Sequence, residues 1–242
     1  IRVVLWRESI LRQLVTFAVD RAPFWMLLVS VAGAQLLFNH DLDRVWRAVT
    51  AAAVISALAY AFILQRDTAS NWVGVGAAVG ALVWLRWPRL RWVAVFTLAV
   101  LLVSGLLFSA IYDFAGGEAE WVESGGSRLA LIERVAEVTM RNPITGLGPA
   151  AYRPYARMEP LLYRGAFWVS PNVSSHNNYV DLFSHVGLLG LGLFIWFAVE
   201  VTMLGFRLRE KYEEGFTSGY VNGMIAAWIG SLMLMLFADW IL

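Results

Sequence analysis

Cysteine is absent from the 242 residues, which excludes a disulfide framework and any thiolate metal site and leaves the redox compartment unread. Charge is scarce: Asp, Glu, Lys and Arg together fill 15% of positions and the net charge is +1. No nucleic acid or other polyanionic partner is expected from such a balance. Lysine is nearly missing, Lys211 standing alone among 19 basic residues. The remainder are arginine, the side chain suited to bidentate grip on phosphate. Genomic base composition produces the same bias, so only the position of each arginine carries weight. What the chain has in plenty is apolar side chains, at 59% of positions and a mean hydropathy of +0.62. That is too oily for an ordinary soluble domain, and the solvent it implies is a bilayer. The chain starts at Ile1 without a signal peptide and stops at Leu242 inside an apolar stretch. It reads as a fragment.

Spanning the hydrocarbon core takes about 20 mainly apolar residues, somewhat fewer when flanking arginines and tryptophans reach the interface. Six runs approach that length: Ala22 to Phe38, Ala48 to Leu64, Trp72 to Leu85, Trp92 to Tyr112, Val186 to Phe206 and Phe216 to Ala238. Each is too long for a strand, and in lipid only helices and closed barrels satisfy the backbone. The expected fold class is therefore all-α, a polytopic helical membrane protein with about six spans. The third run, of 14 residues, is the shortest, and Arg86 and Trp87 extend it towards an interface.

Orientation follows from where arginines collect between spans. The linker RWPRLR, with Arg86, Arg89 and Arg91, and the linker RLREKYEE, with Arg207, Arg209 and Lys211, are short and basic. Both are expected in the cytoplasm. Parity then puts Asn39 to Arg47 inside, Gln65 to Asn71 outside and Asp113 to Tyr179 outside. The first 21 residues, with Arg2, Arg7, Arg12 and Arg21, fall outside against this rule, as a missing preceding helix or an interfacial helix would explain. The expected organisation is an amino-terminal segment with four spans over 1–112, an extracytoplasmic loop carrying the site over 113–179, and two spans over 180–242.

The loop is long enough to build a site, and the other linkers are not. Asp113 to Gly126 is acidic and glycine-bearing, as loops are. Ser127 to Arg141 has apolar residues at Leu131, Val135 and Val138 among charges at Arg128, Glu133, Arg134, Glu137 and Arg141, the period of a helix with one wet face. Asn142-Pro143 should end it, since the residue before proline leaves the α region. A glycine-rich turn, NPITGLGPAAY, follows, and then YRPYARMEPLLYRG with Arg153, Arg157 and Arg164.

The sharpest string is SSHNNYVDLFSHVGLLGLG, Ser174 to Gly192. It sets His176 at the expected outer mouth of a span that opens with Gly187 and Gly190, small residues that allow close helix packing. Here the sequence resembles the O-antigen ligase and polymerase superfamily. Its hallmark is His, then Asn, Ser or Gln, nine residues, and Gly-x-x-Gly, matched without a gap by His176, Asn177, Gly187 and Gly190. Upstream, an arginine-bearing helix leading to Pro, Gly-x-Gly and an aromatic is likewise similar to the family, with Arg128, Pro143, Gly146, Gly148 and Tyr152 in those places.

The resemblance implies transfer of a glycan from an undecaprenyl-diphosphate carrier to a hydroxyl acceptor in a lipid, a saccharide or a protein. It implies a multi-pass protein of the bacterial cytoplasmic (inner) membrane, in contact with membrane lipids, its site on the outer face, inverting and with no metal or cofactor. The residues suit that chemistry. A sugar hydroxyl is a poor nucleophile, and a base whose pKa lies near ambient pH, as an imidazole's does, assists it by about 10²–10⁴-fold. Guanidinium groups stabilise a leaving diphosphate, and Arg128, Arg153 and Arg157 share the loop with His176. Asn177 either orients the histidine or caps the coming helix. Two positions depart from the family pattern. His185 stands where relatives often have glutamate. In QRDTASNW, Ser70 is followed by Asn71 where relatives place an arginine, and Arg66, one turn earlier, is the candidate substitute for gripping diphosphate.

Other strings count for little. Asp41-Leu42-Asp43 has the form of a metal-binding Asp-x-Asp but belongs on the opposite side from His176 and suits a helix cap. Asn172-Val173-Ser174 is a glycosylation sequon in form only, and no strand precedes GLLGLG to make it a nucleotide loop. Glu200, within a span, is placed to snorkel near its cytoplasmic end. The competing reading is a polysaccharide transporter or flippase, for which charges distributed through several spans are expected.

Overall fold

The structure, a computed structural model, describes residues 22–64, 69–114, 117–120, 126–149, 154, 158, 161–163, 166–168 and 175–236. Helices cover the apolar runs. They are α1 (Ala22–Phe38), α2 (Arg44–Ala59, continued by a π-helical turn Tyr60–Leu64), α3 (Ala69–Arg86), α4 (Arg91–Val103), α5 (Leu106–Phe114), α6 (Gly117–Glu120), α7 (Gly126–Thr139), α8 (Asn178–Lys211) and α9 (Gly215–Leu234). One departure from all-α is a hairpin of β1 (Leu161–Tyr163) and β2 (Ala166–Trp168), antiparallel with Leu161 opposite Trp168 and Tyr163 opposite Ala166.

Two helices are long and apolar enough to cross a membrane, Arg44–Leu64 and Asn178–Lys211, and Pro23–Phe38 and Trp72–Arg86 are shorter apolar helices. The run Trp92 to Tyr112, expected as one span, is instead divided between α4 and α5. Gly105 adopts a left-handed φ of 73°, which no helix continues through. The Ser104 hydroxyl closes the break by donating to the Leu101 carbonyl and accepting from the Leu106 N–H.

The chain folds as two compact units, residues Ile1–Ala94 with Gly205–Ser231, and Val95–Leu204 with Leu232–Leu242. In the first, α1 packs on both α2 and α3. Its core holds Met26, Val29, Ala57, Ala61, Val75 and Ala78, then Ala34, Ala81, Leu82 and Ala226, then Leu85, Val221 and Ile225. Small residues dominate because α9 lies close on α1. A Cβ on Gly223 would stand 3.0 Å from the Val31 Cα, and one on Gly230 would stand 2.7 Å from the Met26 sulfur. Such close approach is the usual substitute for hydrophobic drive between helices in lipid. Buried amides add polar ties. Gln35 donates to the Phe216 carbonyl, while Arg209 donates to Asn222 Oδ1 and to the Leu85 carbonyl in the last turn of α3, where a cation also meets the negative end of the helix dipole. The Asp43 carboxylate accepts from the Trp46 N–H and starts α2, so this half of Asp-x-Asp is a cap.

Candidate functional site

In the second unit, α7 follows its sequence pattern. Leu131, Val135 and Val138 are buried on one face, Arg134 pairs with Glu137 at 2.7 Å, and the helix stops just before Asn142-Pro143. Arg128 is half-buried in its first turn and, among the described residues, makes no hydrogen bond or ion pair.

The loop after α7 is spliced into α8. Gly187 breaks that helix with φ 66° and ψ −167°, leaving arms of residues 178–186 and 188–211. In an unbroken helix the N–H groups of 188 and 189 would bond the carbonyls of 184 and 185. Here Leu188 N–H donates to Pro143 O at 2.8 Å and Leu189 N–H to Ile144 O at 3.1 Å, while Ser184 O and His185 O accept from Leu147 N–H at 2.8 Å and Gly148 N–H at 3.0 Å. These four backbone groups freed by the break each find a partner on Pro143 to Gly148, as a buried backbone requires. The motif around Gly146 and Gly148 and the motif ending in Gly187 and Gly190, forty residues apart, are thus one structure.

The glycines follow from this contact. Gly146 and Gly187 both have left-handed φ; a Cβ on Gly146 would lie 2.6 Å from Gly187 N, and one on Gly187 would run into the Ile144 carbonyl. A Cβ on Gly190 would strike the Val186 side chain, brought over it by the break. Gly187 and Gly190 therefore admit a loop and an elbow in their own chain, a different use of small residues from the helix-to-helix packing expected of them. Asn142 braces the loop from within. Its carbonyl accepts from Gly146 N–H at 3.0 Å, its Nδ2 donates to Gly146 O at 2.8 Å, and its Oδ1 accepts from the Thr145 hydroxyl.

The elbow also sets the course of the short arm that follows His176. The Tyr179 and Phe194 rings stand 6.0 Å apart edge to face, although fifteen residues of straight helix would separate them by about 22 Å. The short arm therefore folds back along the long one. Its start is tied to the end of α9: Asn178 N–H donates to Met235 O at 2.8 Å, the Tyr179 hydroxyl to Leu232 O at 2.7 Å and Asn177 Nδ2 to Leu236 O at 3.3 Å. Tyr179, three residues after His176, is thereby brought to the Phe194 level of the long arm, six residues or about 9 Å past its first residue.

His176 has φ 52°, and among the described residues no other non-glycine has a positive φ. That conformation is uncommon and persists where neighbours over-determine it. Three neighbours do so. Asn177 caps the short arm, its Oδ1 accepting from Tyr179 N–H at 3.0 Å and Val180 N–H at 3.2 Å. Ser175 Oγ donates to Asn177 O and accepts from Asn177 N–H, and Ser175 N–H donates to Asp181 Oδ1 at 3.0 Å. Asn177 is thus a cap, which fixes the histidine's backbone. Asp181 was not legible in the sequence; its only signal is an acidic residue five positions after His176 in an apolar helix.

An apolar cleft of about 270 Å³ opens next to this turn, lined by Tyr179, Phe194, Ile195, Ala198, Val199, Thr202, Met203 and Leu232. His185 contributes its carbonyl to the splice, and Glu200 is exposed on the long arm. Arg66, Arg153, Arg157 and Arg164, with Tyr152, lie outside the described residues, and so do the side chains of Ser70 and Asn71.

A family model described as O-antigen ligase matches residues 51–195, which takes in the spliced loop, the His176 turn and the elbow. No curated protein and no solved structure matches the chain.

Proposed function

The chain belongs to the O-antigen ligase family of membrane proteins, and on that premise we propose that it is an inverting, metal-independent glycosyltransferase. The donor is a glycan on undecaprenyl diphosphate, and the acceptor is a hydroxyl of a lipid, a saccharide or a protein. The acceptor oxygen attacks the anomeric carbon from the face opposite the diphosphate. The C–O bond to diphosphate breaks with its electron pair staying on the phosphate oxygen, and an imidazole nitrogen of His176 takes the hydroxyl proton. Arg128, with Arg153, Arg157 and Arg66, offsets the charge of the departing diphosphate. The site faces outward from the bacterial cytoplasmic membrane, within the loop 113–179 and the turn that follows it.

The observation that carries this reading is the His176 turn, a left-handed histidine held by Ser175, Asn177 and Asp181 at the start of a helix. Strain kept by three separate contacts is more than a helix start requires. The apolar cleft that begins at Tyr179 suits the hydrocarbon of the lipid carrier.

The test is glycan transfer from an undecaprenyl-diphosphate donor by the full chain, its His176→Ala and its Arg128→Ala variants, with and without chelator. Loss of at least about a hundredfold is expected for His176→Ala, and a substantial loss for Arg128→Ala. Transfer retained by the histidine variant sinks the mechanism, and activity lost on chelation restores a metal. Product length separates the acceptors, a ladder meaning polymerisation and a single addition meaning ligation.

A further inference from the structure

Arg86, Arg89 and Arg91 crowd the turn between α3 and α4, and the fold brings Arg209 of α8 to the same place. Two of these arginines are anchored side by side on the end of α3. Arg91 Nε donates to Trp84 O at 3.0 Å, and Arg209 donates from Nη2 to Leu85 O at 3.0 Å and from Nε to Asn222 Oδ1 at 2.9 Å. These consecutive carbonyls are among those a helix end leaves unbonded, so both side chains cap α3. Capping does not account for the charge. A helix end carries roughly −0.5 of an elementary charge, and against it stand two full positive charges close enough to repel each other. Arg86 and Arg89 are exposed on the same turn and, among the described residues, make no hydrogen bond or ion pair. Glu210 and Glu213 lie within electrostatic range of Arg209 but form no ion pair with these arginines. Two carboxylates against four guanidiniums leave the turn positive.

The neighbouring rings set the depth of this charge. Trp84, whose ring lies 5.4 Å from the Arg91 guanidinium carbon, Trp87 and Trp92 are all exposed, Trp92 by 81%. Exposed tryptophans beside arginines mark the headgroup level of a bilayer. We propose that the turn between α3 and α4 binds the headgroup of an anionic phospholipid, its phosphodiester held between the guanidiniums of Arg91 and Arg209. With Nε committed to Trp84 O, the terminal nitrogens of Arg91 have no partner among the described residues, and a guanidinium already fixed in place loses little freedom on gripping phosphate. Arg86 and Arg89 add charge around it, and the tryptophans suit the boundary between headgroup and acyl chain. A phosphate at this position also offsets the repulsion between Arg91 and Arg209, so its binding stabilises the folded protein. The site takes no part in glycan transfer and stands whether or not His176 is a base.

The experiment adds phosphatidylglycerol, phosphatidylcholine or inorganic phosphate, at matched concentrations, to the purified full chain in detergent. Native mass spectrometry reads retained lipid, and thermal unfolding reads stabilisation. Phosphatidylglycerol is expected to be retained and to raise the melting temperature by a few degrees, and the other two to do neither. Arg91→Gln should weaken its binding by about tenfold or more, and Arg91→Lys, which keeps the charge but not the fork, by less. Arg89→Gln breaks no bond within the protein, so it tests the site even where Arg91→Gln fails to fold; a loss of about fivefold is expected. Arg44→Gln removes the same charge from an exposed position at the start of α2 and should leave binding within about twofold. Equal retention of phosphatidylcholine overturns the proposal, because the headgroup charge is then irrelevant. Equal stabilisation by inorganic phosphate overturns it in favour of a free anion. A loss in Arg44→Gln as large as in Arg91→Gln and Arg89→Gln reduces the site to diffuse surface charge and overturns it as well.

Discussion

A single hydrogen decides whether the elbow can form. At Gly187 the backbone is left-handed and the position of a Cβ is taken by the Ile144 carbonyl, so any side chain meets backbone that cannot rotate away. The substitution Gly187→Ala is expected to cost more than about 2 kcal/mol, combining an unfavourable φ with overpacking, and Gly146→Ala about as much. Thermal unfolding of the purified variants measures this, and a melting temperature within a degree or two of wild type for either would contradict the splice. Part of this was legible in the sequence, where Gly146 and Gly187 stand out as glycines in ordered motifs. What they touch was not legible. Each glycine answers to a backbone forty residues away, and residue spacing carries no record of such a contact. Asp181 was hidden for a related reason: its partner is an N–H group, which every non-proline residue possesses.

At the scale of the element, apolar periodicity identified helices reliably but could not locate breaks within them. The run Trp92 to Tyr112 divides at Gly105, and Asn178–Lys211 divides at Gly187. Hydropathy is continuous across both, because a break in lipid or protein interior needs its backbone satisfied and not a more polar side chain. Ser104 does this locally at the first break. A whole loop does it at the second. Because that loop bonds α8 through main-chain atoms, its side chains matter unequally. Pro143 contributes a carbonyl that any residue possesses, so Pro143→Ala should change stability by less than about 1 kcal/mol, through loop stiffness alone. Asn142 contributes its amide to the Gly146 carbonyl at 2.8 Å, and Asn142→Ala should cost about 1–2 kcal/mol, with a parallel loss of transfer as the loop loosens. The two variants, unfolded side by side, make a direct comparison. The reverse ranking would mean that the proline ring, and not the bonded backbone, holds the splice.

For the whole molecule, the decisive property is which side of the bilayer the spliced loop occupies. The long arm of α8, residues 188–211, is about 36 Å long at 1.5 Å per residue, enough to cross the hydrocarbon core. A helix that crosses has its two ends in opposite compartments, whichever way it points. Direction comes from charge: Arg207, Arg209 and Lys211 gather at the far end, and cytoplasmic ends collect such residues. The absence of cysteine makes this measurable without a background. Thr145, exposed in the spliced loop, and Glu213, exposed between α8 and α9, are each replaced by cysteine in otherwise unaltered protein. In intact cells stripped of their outer permeability barrier, a membrane-impermeant maleimide should label Thr145→Cys at once, and Glu213→Cys only after the inner membrane is opened. The opposite pattern would put His176 in the cytoplasm and remove the outward-facing site. Labelling of both without permeabilisation would mean that the long arm does not span, and the transmembrane reading of α8 would fall with it.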